Sequence, residues 1–364
     1  MPRGGVGLAA VEGVAVRLHR SNGQMLPHVI LSVAKDLVSS PLRPGSFAAL
    51  KVTICAVLCA LFIGSTSVVD RPLVVLVVGA EGTPEYGGEF AKWADRWKDA
   101  AARGSAQFVL LGKDGDGKSG DKAQLKALLE AEAKESTQPL WLVLIGHGTF
   151  DGREAKFNLR GGDVSAAELA EWVKPMKRPL AVSACFSASA PFLNALSADG
   201  RVVLTATQSG REVQFSRFGD HLSAAITDPS ADLDKDGQTS LLEAYLAASH
   251  HVGEFYRQES RLATEHALLD DTGDALGTPG SWFQGIRATK SAREGATLDG
   301  ARAHQWHLMP TPVEAAMSPA RRARRDELEL KIEALRSKKG SIPEDQYYED
   351  LEKLLVELAR AYER

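Results

Sequence analysis

Past residue 70 the chain alternates two patterns. Unbroken apolar runs at residues 73–79, 107–112, 140–145, 180–184 and 201–207 have the length and β-branched character of strands buried on both faces. Between them lie stretches of helical periodicity. Residues 89–103 put Phe90, Trp93, Ala94 and Trp97 on one face, and residues 121–134 put Leu125, Leu128 and Leu129 on one stripe. Residues 164–172, 188–196, 218–226 and 240–257 read as further helices. Strand-then-helix repetition predicts an α/β fold, with a mostly parallel β-sheet flanked by helices on both faces. A sixth strand is expected near residues 282–286.

This predicted domain spans residues 71–290, followed by a polar linker, residues 291–317, and a C-terminal α-helical hairpin, residues 318–364. Ser318-Pro319 is a helix start, and Leu328, Ile332 and Leu335 then share a face. Lys339-Gly340 breaks that helix, and Ser341-Ile342-Pro343-Glu344 reads as a capping box opening the next. Tyr347, Leu351, Leu354, Leu355 and Leu358 line the second helix. Two helices alone bury little, so the hairpin is expected to dock on its own domain or on another chain.

A net charge of −4 gives no basis for a nucleic-acid partner. Two of the three cysteines, Cys55 and Cys59, sit in an apolar stretch, residues 52–64, with Lys51 before it and Ser65-Thr66-Ser67 behind. That pattern is a secretory signal, short for a membrane-spanning helix. It predicts an exported protein, periplasmic or extracellular, with no membrane contact beyond the leader, residues 1–70. Roughly fifty residues without sustained periodicity precede the signal, which puts the expected translation start nearer residues 45–51. The competing reading is an uncleaved N-terminal anchor. Leader removal would leave Cys185 as the sole cysteine and exclude a disulfide framework within one chain.

Two motifs close apolar runs: Ile145-Gly146-His147-Gly148 and Ser183-Ala184-Cys185-Phe186-Ser187. The carboxyl ends of strands line the ligand crevice of an open α/β sheet, so one imidazole and one thiol fall at one sheet edge. A thiolate is a nucleophile, and a nearby imidazole can take its proton and later protonate a leaving amine. The N–H groups of Gly148 and Cys185 are candidate oxyanion donors. A buried cysteine alone is more often a small hydrophobe, and Gly-His-Gly is a common turn. Their matched placement after consecutive strands argues for a dyad. A serine hydrolase built on Ser183 or Ser187 lacks the G-x-S-x-G elbow.

The order His-Gly, then Ala-Cys one strand later, resembles the caspase/legumain/gingipain group of cysteine peptidases (clan CD), in a distant bacterial caspase-like branch. The resemblance covers residues 71–286. It implies a caspase-like fold, peptide or protein substrates, His147 as catalytic histidine, Cys185 as nucleophile and Gly148 as an oxyanion-hole residue. Residues 183–189 are similar to the legumain segment in which Cys-x-Ser-x-Ser follows an alanine. Glu81 stands where legumains place an asparagine that orients the histidine, and Gly146 where they carry aspartate. The resemblance also implies a specificity pocket built from loops after the strands flanking the cysteine strand. In residues 207–212 Arg211 would pair an acidic P1 side chain and Glu212, or Asp151, a basic one. The loop 265–271 with His266 is a second candidate wall.

Independently, residues 232–243 fit the twelve-position EF-hand loop. Asp232, Asp234 and Asp236 take positions one, three and five, Gly237 position six and Glu243 position twelve. The Gln238 carbonyl would add an oxygen. This predicts one structural Ca2+ site. Thr239 at position eight weakens pairing with a second loop, and the alternative is an Asp-rich turn capping a helix at Thr239 or Ser240. Residues 113–119 lack a downstream glutamate and the leading glycine of a phosphate loop, and read as a flexible turn. The basic run 321–325 reads as a solvated face. Together the chain reads as an exported caspase/legumain-like cysteine endopeptidase with a structural calcium loop. The alternative is a catalytically silent caspase-like binding module acting through that loop and the hairpin.

Overall fold

The computed structural model describes residues 71–113 and 120–363, and two earlier strands, β1 (Leu8–Val11) and β2 (Val14–Arg17), which pair antiparallel. The segment 52–64, with Cys55 and Cys59, lies outside the described residues. Met1–Val68 and Val69–Arg364 are separate compact units, and the second carries every candidate site residue.

In the second unit, strands β3 (Leu73–Val78), β4 (Gln107–Leu111) and β5 (Leu140–Ile145) come first. Three short strands follow, β6 (Gly148–Phe150), β7 (Ala155–Phe157) and β8 (Val164–Ser165). Then come β9 (Leu180–Cys185), β10 (Arg201–Thr205), β11 (Leu268–Asp270), β12 (Thr278–Pro279), β13 (Phe283–Gln284) and β14 (Arg287–Ala288). The main sheet runs β12-β11-β10-β9-β5-β3-β4. All five expected strands are in it and pair parallel.

The expected sixth strand is displaced. Residues 283–288 form a separate hairpin, β13 with β14. The sheet is extended instead by β11, antiparallel to β10, and by β12 beyond it. β11 comes from the stretch 265–271 read as a loop, and β12 from residues given no element; two- and three-residue strands carry no legible periodicity.

Helices α1 (Pro84–Arg103), α2 (Asp121–Ala131), α3 (Ala166–Val173), α4 (Ala190–Leu196), α5 (Phe218–Ala225) and α6 (Leu241–Gln258) surround the sheet. Strand side chains alternate between two apolar layers. Val74, Leu76, Trp141, Val143, Ile145, Ala181 and Cys185 pack with α1, α5 and α6. Leu73, Val75, Leu142, Leu144, Val182 and Ala184 pack with α2, α3 and α4.

The stretch read as a linker is largely packed. It holds α7 (Ala301–His304) and α8 (Pro312–Ala315) and buries Ala303, Trp306, Leu308 and Met317. The hairpin is formed by α9 (Pro319–Ser337) and α10 (Glu344–Tyr362). Ser318 caps α9 as expected, but the Ser341 capping box does not form. The Ser341 hydroxyl donates back to the Lys338 carbonyl at 2.9 Å, and Pro343 takes the N-cap without a side-chain bond. The basic run is not wholly solvated: Arg325 is buried and bonded to Glu314.

Candidate functional site

Strand order reverses at β3, with β4 on one side and β5 on the other. A crevice opens at the carboxyl ends of such a switch point. Glu81 enters it from the loop after β3, and His147 from the loop after β5. In the parallel register Ile145 stands beside Cys185. His147 follows Ile145 by one strand period, so thiol and imidazole share the face covered by α1 and α5.

The contacts agree. The His147 ring meets Tyr86 and Phe90 of α1 edge-on, at centroid distances of 4.8 and 5.3 Å. Cys185 packs against Trp93 and Gly219 so closely that a Cβ at Gly219 would lie 2.8 Å from the Cys185 Cβ.

His147 Nε2 lies 3.2 Å from the Glu81 main-chain carbonyl. An Nε2–H donating there leaves Nδ1 as the basic nitrogen. Glu81 therefore holds the imidazole through its backbone, and its carboxylate does not replace the expected asparagine. The thiol is 0% exposed. Burial, and secondarily the charge of Glu265, push its pKa far up, so in this conformation it is protonated. Among the described residues the thiol and imidazole are not hydrogen-bonded to each other.

The Gly148 N–H is engaged: it donates to Ser187 Oγ at 3.1 Å, and that hydroxyl donates back to the Gly148 carbonyl at 3.1 Å. A Cβ at Gly148 would lie 2.0 Å from the Ser187 carbonyl oxygen, which is why only glycine fits. No helix starts directly behind Cys185, because α4 begins at Ala190, after Ala188 has turned through a left-handed φ of 59°.

The candidate specificity residues separate. Glu212 is held inward: its carboxylate accepts from the Gln208 N–H at 2.9 Å and meets His266 Nδ1 at 2.6 Å, and its carbonyl accepts from the Ala188 N–H at 2.8 Å. Glu212 and His266 thus lie together beside the Cys185 loop. Arg211 is exposed. Asp151 is exposed and caps the Arg153 and Glu154 N–H groups at 2.8 Å, which holds its pKa below the usual carboxylate range.

Two residues that drew no individual role from the sequence stand near the dyad. Phe215 stacks on Tyr86 at 4.6 Å, with its ring 6.0 Å from His147. Glu265 is buried and anchors the same segment, accepting from Ser216 Oγ at 2.6 Å, Arg217 N–H at 2.9 Å and Phe218 N–H at 3.1 Å. Burial pushes its pKa up despite these bonds. The only sequence signal was its place beside His266.

Residues 232–243 form a compact turn before α6. Asp232 accepts from the Lys235 N–H at 2.6 Å and the Gly237 N–H at 3.1 Å, with Gly237 at a φ of 91°. Asp232, Asp234 and Asp236 each bring a carboxylate oxygen within 4.8 Å of the others. Glu243 is fully buried and accepts from the Leu233 N–H at 2.7 Å and from the Ser240 N–H and hydroxyl at 2.8 Å. It forms a capping box and groups with Asp234 and His304. His304 Nε2 sits 3.0 Å from Asp234, and the Gln238 side chain accepts from the Thr311 N–H at 2.9 Å. The three aspartate carboxylates converge, whereas Glu243 is grouped only with Asp234 and His304 and its oxygens are taken by the Leu233 and Ser240 donors.

No protein-family model matches the chain, and no curated protein does. Among solved structures it is similar to the Drosophila initiator caspase Dronc, at 15% identity and a TM-score of 0.40, over 56% of this chain and 80% of that one. It is also similar to caspase-1 from Spodoptera frugiperda, at 6% identity and a TM-score of 0.37, over 56% of this chain and 86% of that one. The likeness concerns the fold alone.

Proposed function

We propose that the chain is an exported caspase/legumain-like cysteine endopeptidase acting on peptides or proteins. Cys185 attacks the scissile carbonyl, and His147 carries the thiol proton to the leaving amine. One observation carries this reading: groups far apart in the chain share one face and one edge of the sheet, with the imidazole aligned by the Glu81 carbonyl. Catalysis requires the Phe215 segment to lift off the dyad and Ser187 to release the Gly148 N–H for an oxyanion. Ca2+ held by Asp232, Asp234, Asp236, Glu243 and the Gln238 carbonyl would stiffen the loop before α6 and supply no chemistry. Export rests on the segment 52–64.

A second reading has its own support. The complete burial of Cys185 and the occupied Gly148 N–H favour a catalytically silent binding module. Digestion of a broad peptide library, with and without calcium, separates the two. Cleavage that disappears in Cys185→Ala selects the peptidase; no cleavage under either condition selects the silent module.

A further inference from the structure

Helix α5 opens without a cap of its own. Its N-cap residue is Arg217, which makes no side-chain bond to the N–H groups of the first turn. The first N–H groups of a helix have no partner within it and need an acceptor from elsewhere. Here that acceptor is Glu265, 48 residues from Arg217 along the chain. Its carboxylate takes the Arg217 N–H at 2.9 Å, the Phe218 N–H at 3.1 Å and the Ser216 hydroxyl at 2.6 Å. The Tyr256 hydroxyl of α6 donates to it at 3.3 Å. Glu265 is only 2% exposed, so water does not share in these bonds. Arg96 ties the body of α5 through Asp220 and Ser223; the first turn is tied by Glu265.

The residues on either side of this anchor are those that meet the dyad. Phe215 precedes it, with its ring 6.0 Å from that of His147. Gly219 follows it, so close to the thiol that a Cβ there would lie 2.8 Å from the Cys185 Cβ. Phe218, between them, shares the apolar layer of Cys185. Close-packed interiors transmit displacement, so a shift of this first turn changes the surroundings of thiol and imidazole together.

We infer that Glu265 is a positioning residue for the Cys185–His147 dyad: it caps α5 from a distance and holds residues 215–219 against both groups. This role belongs to the proposed peptidase dyad and rests on that reading, yet it governs access to the thiol, which is measurable without turnover.

Iodoacetamide labelling of Cys185 in the full chain, mapped by mass spectrometry at fixed pH over a range of low urea concentrations, tests it. Glu265→Ala should label about tenfold faster than the parent, at a rate almost independent of urea, because only the segment opens. Labelling through global unfolding would instead climb steeply with urea. Glu265→Gln keeps an amide oxygen for the Arg217 and Phe218 N–H groups and an NH2 for Ser216 Oγ, so it should stay within about threefold of the parent. Ser216→Ala removes the 2.6 Å bond alone and should label about threefold faster, which keeps the test alive if Glu265→Ala misfolds. A parent-like rate in folded Glu265→Ala or in Ser216→Ala overturns the role. So does a faster rate that follows global unfolding, or Glu265→Gln labelling as fast as Glu265→Ala. Failure of the peptidase reading shows differently, as labelling that His147→Ala does not slow.

Discussion

The dyad and the Asp232–Glu243 loop treat their chemical groups in opposite ways. Around the loop, Asp232 and Glu243 are surrounded by donors, and the turn that brings the carboxylates together is already made. Around the dyad, the thiol is fully buried in the apolar layer with Gly219 close against it, and the oxyanion donor is tied to Ser187. A cation proposed for this loop would find the three aspartates already gathered and Glu243 already bonded to the Leu233 and Ser240 N–H groups. A peptide would meet a buried thiol and an occupied Gly148 N–H. Similar chemical richness in sequence therefore describes two states of readiness.

The comparison breaks first at Glu243. Replacing it with Ala strands the N–H groups of Leu233 and Ser240 and deletes the capping box of α6. The expected loss is about 3 kcal/mol in denaturant unfolding. Calcium should stabilise the parent by about 2.7 kcal/mol at a hundredfold excess over its dissociation constant, and Glu243→Ala should lose that response. A variant that still gains stability from calcium would show that the loop ligates without its twelfth position.

The closed side is probed at Phe215. Phe215→Ala removes the ring stacked on Tyr86 and should speed iodoacetamide labelling of Cys185 about tenfold, read by mass spectrometry, because opening the cover costs less. Adding His147→Ala should slow that labelling if the imidazole activates the thiol. A Phe215→Ala rate equal to the parent's would mean that the thiol is reached by another route.

How much of this was legible follows from the same physics. The runs at 73–78 and 140–145 were readable because both faces of each strand are buried. Cys185 and His147 were readable because each closes such a run. The Glu81 carbonyl was invisible, since any residue supplies that acceptor. Glu265 and His304 were invisible for another reason: their partners lie 48 and 70 residues away, at Arg217 and Asp234, and only the tertiary fold joins them. The segment of Phe215 beside His147 is anchored by just such contacts, so the motifs announced the chemistry and not the burial of the thiol.

The smallest effect concerns what holds the segment beside the loop in place. Asp271 accepts from the Gly300 and Ala303 N–H groups at 2.9 and 2.8 Å, and Asp299 accepts from the Asp271 N–H at 3.0 Å and Thr278 Oγ1 at 2.6 Å. Both carboxyls are buried and pushed up, Asp299 to about 8, chiefly by burial and then by the charge of Asp271. In the unfolded chain such a group titrates near 3.9. The folded state thus holds the proton more tightly; that stabilisation is complete below the unfolded value and is lost as pH rises through about 8. The unfolding midpoint should fall by a few degrees between roughly pH 6 and 9. Asp299→Asn can keep the acceptor for the Asp271 N–H and donate from its NH2 to Thr278 Oγ1 while removing the charge, so its midpoint should decline less. Glu265 also titrates with a raised pKa, which makes the difference between the two proteins, not the parent's slope, the quantity that reports on the pair. Equal slopes would mean that Asp271 and Asp299 share no proton. The strap from α7 to Thr311, which carries His304 to the loop, would then be held by the buried Trp306 and Leu308, by the Leu241 N–H on the Trp306 carbonyl and by the Thr311 N–H on Gln238.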